Sequence, residues 1–193
     1  MTHAIPRLDA EKIAARDPET LALLREGAEG IGFLTVHNTP FSAARMRFVL
    51  AAYRAFFALP EADKARVDMS ATGSNRGWGA AGSEQVDPEA NPDYKQFFDC
   101  GFEVPGSGLP VYAPNLWPDQ PEGFRQVIAA YYRDARAFSL VLLRGIAEAI
   151  GEDAGFFDDK FDQPMALLRG NYYPPRPSWA GEKDFGIATH TDY

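Results

Sequence analysis

The sequence predicts an α+β fold in which a helix-rich N-terminal region is followed by the start of a β-structure. Two stretches carry apolar side chains at helical spacing, one beginning at Ser42 and one covering residues 122–150. After them come short runs rich in β-branched and aromatic residues, MALLRGNYY and FGIATHTDY. The hydrophobic fraction of 46% and the aromatic fraction of 13% indicate a chain that buries a core. Helices followed by strands in this way are typical of an α+β protein.

The first 60 residues are predicted to contain two helices with a strand between them. In the segment DPETLALLREGAEGIG, Asp17 is the expected N-cap, Pro18 is the first helical residue, and the glycines close the helix. The segment GFLTVHN then has the character of a strand. The second helix is predicted to end at Pro60, because proline cannot continue the helical pattern.

Residues 70–96 are predicted to form a long loop, because they are rich in Gly, Ser, Asn, Pro and Asp. Loops of this length are usually functional or mobile. Two acidic residues in the loop, Glu84 and Asp87, are expected to serve only its solvation. The segment QFFDCGFEV follows as a strand, and its adjacent phenylalanines are expected to face opposite sides, one toward a pocket and the other toward the helices.

The charge and cysteine content exclude several classes of partner. The chain has 19 Lys and Arg against 27 Asp and Glu, so its net charge of -8 offers no basic surface for nucleic acid or an anionic membrane. No secretory signal and no apolar run near the roughly 20 residues that cross a bilayer are found. The single cysteine, Cys100, lies in an apolar run typical of an inert, buried thiol. These features predict a cytoplasmic protein that acts on a small molecule.

His190 and Asp192 are spaced as two metal ligands on one strand would be. Residues i and i+2 of a strand point to the same side, so an imidazole nitrogen and a carboxylate oxygen can meet at one ion while Thr191 points away. One more histidine would complete the facial triad of two histidines and one carboxylate that binds iron(II) in oxygenases. Taken alone, the spacing fits a surface pair or a hydrogen-bonded core histidine at least as well.

The context of this pair extends the interpretation. Seven segments follow one another along nearly the whole chain: IPRLD, GFLTVHN, FFALPEADKARVDM, RGW, FFDCGFEV, GNYYPPRP and HTDY. This series resembles the iron(II)- and 2-oxoglutarate-dependent dioxygenases of the isopenicillin N synthase-like branch. The resemblance implies a helix-rich N-terminal region, here residues 1–118, followed by a double-stranded β-helix, or jelly roll. Residues 119–193 would supply the long helix and the first strands of that catalytic domain, which would be incomplete.

The resemblance also implies roles for four residues. His190 and Asp192 correspond to the first two iron ligands, and Asn171 and Tyr173 to the side chains that hydrogen-bond 2-oxoglutarate. Purely structural roles for the latter two are the alternative, although alternation along a strand places both on one face. The family's second histidine ligand, and the arginine and serine that bind the far carboxylate of 2-oxoglutarate, lie beyond the aspartate. The 193-residue chain by itself is therefore expected to be inactive.

Two residues of the long loop are candidates for binding a substrate. In related enzymes the segment matching SNRGWGAAGSEQ approaches the metal site. Arg76 could therefore bind a substrate carboxylate through a bidentate pair, and Trp78 could form an apolar wall. A solvated loop arginine and a tryptophan that anchors the loop are equally good interpretations of the same residues.

The implied function is the oxidation of a small molecule by dioxygen, with iron(II) as the metal and 2-oxoglutarate as co-substrate. The outcome would be hydroxylation, desaturation or ring closure. An iron-dependent oxidase of the same family that does not use 2-oxoglutarate is one alternative, although NYYPP favours the 2-oxoglutarate user. A catalytically inactive truncated fragment that binds a partner through its unfinished β edge is another. Zinc hydrolase chemistry is disfavoured, because one histidine and one aspartate do not form a closed zinc site.

Overall fold

The computed structural model of the protein describes residues 4–190. Contacts within the chain define two compact units, which are described separately. The first unit comprises residues 4–49 and 130–164, and the second comprises residues 50–129 and 165–190. The predicted boundary between residues 118 and 119 is not a border of either unit, and it stays a prediction.

The described part of the chain is α+β, as predicted. The α-helices are α1 (Ala10–Ala14), α2 (Pro18–Glu26), α3 (Ala43–Phe57), α4 (Glu61–Lys64) and α5 (Phe124–Ala149). The strands are β1 (Arg7–Asp9), β2 (Thr35–His37), β3 (Gly77–Gly79), β4 (Gln96–Gly101) and β5 (Leu167–Tyr172). Short 3-10 turns lie at Ala65–Val67, Met69–Ala71, Pro110–Tyr112 and Asp159–Phe161.

The first unit is built around a short parallel pair of strands. β1 pairs with β2, and Leu8 lies opposite Val36. Leu8 packs into a buried apolar cluster with Ile13, Leu24 and Ala149. The predicted strand GFLTVHN is confirmed as β2, whereas α1 was not predicted because five residues are too short to show helical periodicity.

Helix α2 begins where the sequence predicts. Asp17 precedes it in an extended conformation and accepts a hydrogen bond on its Oδ2 from the Thr20 backbone nitrogen at 2.9 Å. Pro18 is the first residue of the helix. A π-helical turn, Gly27–Ile31, continues α2 to Gly32, whose φ of 76° is a left-handed conformation that glycine adopts without strain. The predicted N-cap and the predicted glycine stop are both confirmed.

The two long helices have nearly the predicted bounds. Helix α3 ends before Pro60, and α5 falls within the predicted range 122–150 with 26 residues. Within residues 4–190, no helix combines the length and the apolar character that crossing a bilayer would require.

The second unit contains an antiparallel sheet with the strand order β3-β4-β5. In this register Phe98 of β4 lies opposite Gly170 of β5. A side chain at Gly170 would not fit, because its Cβ would lie 2.3 Å from Cε1 of Tyr53. The fully buried Phe98 ring contacts the rings of Phe56 and Phe124, with 5.0 Å between the centroids in each pair. This aromatic cluster is the core against which β4 packs.

Two predictions about the strands need correction. The long loop at residues 70–96 contains β3, a three-residue strand whose two glycines masked its strand character in the sequence. The predicted strand FGIATHTDY is not a strand at residues 185–190. Its backbone forms hydrogen bonds with Asp93 and Tyr94 instead of a regular ladder. The last three residues, 191–193, lie outside the described part of the chain.

Candidate active site

The predicted 2-oxoglutarate residues lie at the end of β5. Asn171, the last residue but one of the strand, is exposed and lies opposite Phe97 of β4. Tyr172 points to the other side and stacks on Phe57, with ring centroids 5.3 Å apart. Tyr173 follows the strand and is 49% exposed. The predicted alternation therefore separates Tyr172, which packs on an aromatic side chain, from two neighbours that are accessible to a ligand.

The segment that leads to His190 runs beside Tyr173. The Cδ1 atom of Tyr173 is 3.1 Å from the position that a Cβ on Gly186 would occupy, so the tyrosine ring lies directly over this glycine. The Phe185 carbonyl accepts a hydrogen bond from the Tyr94 backbone nitrogen at 2.9 Å. The buried Ala188 donates its backbone N–H to the carboxylate of Asp93 at 3.1 Å. Tyr173 and the His190 segment thus share one region of the second unit.

His190 is exposed, and a short contact with the backbone orients its ring. The Nδ1 atom lies 2.9 Å from the Ala188 carbonyl oxygen. A carbonyl oxygen only accepts hydrogen bonds, so in a neutral ring Nδ1 carries the proton and Nε2 carries the lone pair that a metal ion requires. Asp192, the second predicted ligand, lies outside the described residues. Within residues 4–190, no cluster of three His, Cys, Asp or Glu side chains could hold a metal.

Five charged side chains beside this segment form an ionic network: Glu84, Asp93, Lys95, Asp99 and Arg169. The Lys95 Nζ lies 2.7 Å from Asp93 Oδ2 and 3.0 Å from Glu84 Oε2. Arg169 Nη1 lies 2.7 Å from Glu84 Oε1. Arg169 also donates from Nε and Nη2 to the two carboxylate oxygens of Asp99, at 2.9 and 2.7 Å. Glu84 therefore bridges two cations, and three members of the network, Asp93, Lys95 and Asp99, are buried.

The role predicted for Glu84 is wrong, because its carboxylate pairs with Lys95 and Arg169 and does more than solvate the loop. Asp87 behaves as expected: it accepts a hydrogen bond from the Glu89 backbone nitrogen in an exposed turn. The sequence contained a partial signal of this ionic network, since the opposite charges Asp93 and Lys95 are two residues apart. The contact of Glu84 with Arg169 joins residues 85 positions apart and has no local signature.

Comparison with known proteins agrees with this architecture. Residues 5–120 match the family model described as the N-terminal region of the non-haem dioxygenase in morphine synthesis. The chain belongs to the non-haem iron(II)- and 2-oxoglutarate-dependent dioxygenase family.

Relatives and solved structures of similar sequence carry corresponding names. The chain is 30% identical to the 2-oxoglutarate-Fe(II) type oxidoreductase hxnY of Emericella nidulans, over 98% of this chain and 58% of that protein. It is 34% identical to the 2-oxoglutarate-dependent dioxygenase frbJ of Dothideomycetidae sp., over 98% of this chain and 53% of that protein. A full-length Neurospora crassa protein solved in complex with α-KG superposes with a TM-score of 0.74 at 29% identity, over 88% of this chain and 55% of that one. The chain thus spans little more than half the length of these three proteins.

Both predicted substrate-binding residues, Arg76 and Trp78, are buried in the structure. Arg76 is 2% exposed, and its guanidinium donates to the backbone carbonyls of Asn75, Phe102 and Val111 at 2.7, 3.2 and 2.6 Å. Arg76 is therefore not a solvated loop arginine. Trp78 is also buried, in agreement with the interpretation that it anchors the loop. A contact of either residue with a substrate stays a prediction.

Packing shows which phenylalanine of β4 faces the helices and where its cysteine lies. Phe98 faces the aromatic residues of α3 and α5, whereas Phe97 lies under Arg169, whose Cζ is 4.0 Å from the ring centroid. Cys100 is buried, and this burial raises the pKa of its thiol to about 12. The thiol is therefore protonated at neutral pH and unreactive, as predicted.

The raised pKa of Asp99 gives this residue a contribution to stability that decreases as the pH rises. Burial raises the pKa of Asp99 above its ordinary value, although the hydrogen bonds and charge of Arg169 oppose this effect. The folded state therefore holds this proton more tightly than the unfolded state, and stability decreases between the ordinary and the raised pKa. We expect Asp99→Asn to remove this decrease, so that the free energy of unfolding of the variant minus that of the wild type increases with pH. Urea denaturation across the acidic and neutral range measures the difference.

The matched control is Asp158→Asn. There the Arg144 hydrogen bond lowers the pKa of the carboxyl, so the contribution of Asp158 to stability increases with pH. The free energy of unfolding of this variant minus that of the wild type should therefore decrease with pH. Equal pH dependence of the Asp99→Asn variant and the wild type would contradict the raised pKa.

Proposed function

We propose that this protein is a non-haem iron(II) oxygenase that uses 2-oxoglutarate and dioxygen to oxidise a small molecule, by hydroxylation, desaturation or ring closure. The observation that carries the proposal is the contact of His190 Nδ1 with the Ala188 carbonyl, which places the proton of a neutral, exposed imidazole on Nδ1 and the lone pair on Nε2. Membership of the dioxygenase family supports the choice of iron(II) and 2-oxoglutarate.

The donor chemistry of the chain fits iron(II). His190 would supply an imidazole nitrogen and Asp192 a carboxylate oxygen, a combination suited to an iron(II) ion that keeps open positions. When bound, iron(II) together with 2-oxoglutarate and dioxygen supplies oxidation of the substrate coupled to decarboxylation of 2-oxoglutarate to succinate. The task of His190 in this chain is to hold its ring in one tautomer and one orientation.

Asn171 and Tyr173 would bind the 2-oxoglutarate. The amide of Asn171 and the hydroxyl of Tyr173 can both donate hydrogen bonds to carboxylate oxygens. Both side chains are exposed, and the ring of Tyr173 lies over Gly186 in the segment that leads to His190. This placement supports a shared site for the co-substrate and the metal.

The proposal also covers the role of β5 in the fold and the location of the protein in the cytoplasm. We take β5, which pairs antiparallel with β4, as the first strand of the family's jelly roll. At the end of this strand Asn171 and Tyr173 are exposed while Tyr172 packs on Phe57, which would suit a barrel strand with one face toward a ligand. A reduced, buried Cys100 is compatible with the cytoplasm.

The test is a titration of the purified protein, at the length at which it is naturally made, with iron(II) and 2-oxoglutarate in the absence of oxygen. We expect the visible charge-transfer band of the iron(II)–2-oxoglutarate complex in the wild type, and its loss in His190→Gln. His37→Gln, which changes a histidine at the end of β2 in the first unit, is the matched control and should keep the band. Tyr173→Phe should shift the formation of the band to a higher 2-oxoglutarate concentration, because one hydrogen-bond donor is lost.

Each other outcome of this titration has a defined meaning. Iron(II) that binds without any band, and that is lost in His190→Gln, would favour an oxidase that does not use 2-oxoglutarate. A wild type that binds no iron(II), or a band that persists unchanged in His190→Gln, would overturn the assigned site.

A further inference from the structure

We propose that Asp93 and Lys95 are positioning residues that set the orientation of the His190 imidazole. This inference rests on the proposed function, because it takes His190 as the metal-binding residue. It concerns two buried members of the ionic network that lie on the long loop and immediately before β4, far from His190 in the sequence.

Asp93 bonds to the histidine segment with one carboxylate oxygen and to lysine with the other. Its Oδ1 accepts the backbone N–H of Ala188 at 3.1 Å, and its Oδ2 accepts from Lys95 Nζ at 2.7 Å. Asp93 and Lys95 are only 1% and 2% exposed. A buried carboxylate with a charged partner on one oxygen has little freedom to rotate, so its second oxygen is directed at Ala188.

Ala188 connects the carboxylate to the imidazole. Its N–H is held by Asp93, and its carbonyl oxygen lies 2.9 Å from His190 Nδ1. The main chain of one residue therefore has both of its polar groups engaged, one by the network and one by the metal-binding side chain. Loss of the Asp93 contact would release the backbone two residues before His190, and with it the acceptor that selects the Nδ1-protonated tautomer.

Because of Lys95, an asparagine cannot take over both hydrogen bonds of Asp93. An asparagine has the shape of aspartate but only one acceptor oxygen, and its NH2 group is a donor. The ammonium of Lys95 and the N–H of Ala188 are both donors, so an asparagine in place of Asp93 can satisfy only one of them. The charged donor forms the stronger hydrogen bond, and Ala188 therefore loses its acceptor. Lys95 also keeps Glu84 as a partner at 3.0 Å, so the lysine is not left as an isolated buried charge.

The experiment compares Asp93→Asn with the wild type in two measurements. Long-range 1H–15N NMR spectra of the metal-free protein in mildly alkaline solution report which ring nitrogen of His190 carries the proton. The chain has three histidines, so the His190 signals are identified by their loss in His190→Gln. Anaerobic iron(II) titration reports the affinity for metal. We expect Asp93→Asn to lose the Nδ1-protonated pattern and to weaken iron(II) binding about 10- to 100-fold.

A double variant separates positioning from a general loss of structure. In Asp93→Asn/Lys95→Gln, the NH2 of the introduced asparagine can donate to the introduced glutamine oxygen, so the asparagine oxygen again accepts from Ala188. We expect this variant to recover both the tautomer and most of the affinity. Asp158→Asn, which removes the same charge from an exposed pair in the other unit, should change neither measurement.

The outcomes distinguish this inference from the proposed function. A folded Asp93→Asn protein with the wild-type ring pattern and affinity would overturn the inference, as would a failure of both variants to fold by circular dichroism. The ring pattern is measured without metal, so it tests the positioning even if His190→Gln has no effect on iron(II) binding. That last result would overturn the proposed function instead.

Discussion

Replacing Arg169 by methionine is expected to lower the free energy of unfolding by about 3 kcal/mol, because it leaves the buried carboxylate of Asp99 without its counter-ion. Asp99 has no exposed surface and receives two hydrogen bonds from the guanidinium. Methionine keeps an unbranched, apolar stem over the ring of Phe97, so the loss is mainly electrostatic. Glu84 still has Lys95 as a partner. Urea denaturation at neutral pH measures the effect.

The pH dependence of this variant provides a second test. Without Arg169, the pKa of Asp99 should rise further, because the burial that already raises it loses its main opposing influence. The variant should therefore recover part of its lost stability as the pH falls and Asp99 becomes protonated.

Arg144→Met is the matched control for Arg169→Met. Arg144 also forms two hydrogen bonds with a carboxylate, that of Asp158, at 2.9 Å each, but both side chains of this pair are more than 40% exposed. Water solvates the remaining carboxylate in the control, so its loss of stability should be much smaller. Equal losses in the two variants would show that burial does not govern the strength of the Asp99 pair.

Replacing Phe98 by alanine is expected to lower the free energy of unfolding by about 3–5 kcal/mol, because it opens a cavity in the centre of the aromatic cluster. The Phe98 ring is completely buried. Its centroid lies 5.0 Å from those of Phe56 and Phe124 and 5.9 Å from that of Trp117. These rings come from separate parts of the chain and cannot all shift to fill the space. Thermal and urea unfolding measure the loss.

Phe33→Ala provides the comparison for the core variant. Phe33 is 68% exposed, so removing its ring should change stability by no more than about 0.5 kcal/mol. Phe98→Leu keeps most of the apolar volume and should lie between the two alanine variants. A loss in Phe98→Ala no larger than that in Phe33→Ala would mean that the aromatic cluster is not the core of the second unit.

Features that depend on neighbouring residues could be predicted from the sequence. The start of α2 follows from the carboxylate of Asp17 and the ring of Pro18, and the end of α3 precedes Pro60 as expected. The alternation of Tyr172 with its neighbours was also predictable, because side chains of a strand alternate between faces over a few residues. The conformation of residues 185–190 could not be predicted from the sequence. Their composition suits a strand, but their backbone hydrogen bonds are formed with a loop.

The sequence by itself determined the family, the order and bounds of the main helices, and the candidate ligands His190 and Asp192, because these depend on motifs and on local periodicity. The tertiary structure decided what the charged residues do. Glu84 and Asp93 have the character of loop residues in the sequence, yet they meet Arg169 and the Ala188 backbone from 85 and 95 positions away. Contacts between residues so far apart in the sequence form only when the sheet and the loop pack together. The energy of a buried charge depends on the groups that surround it in space, so its role cannot be predicted from its neighbours in the chain.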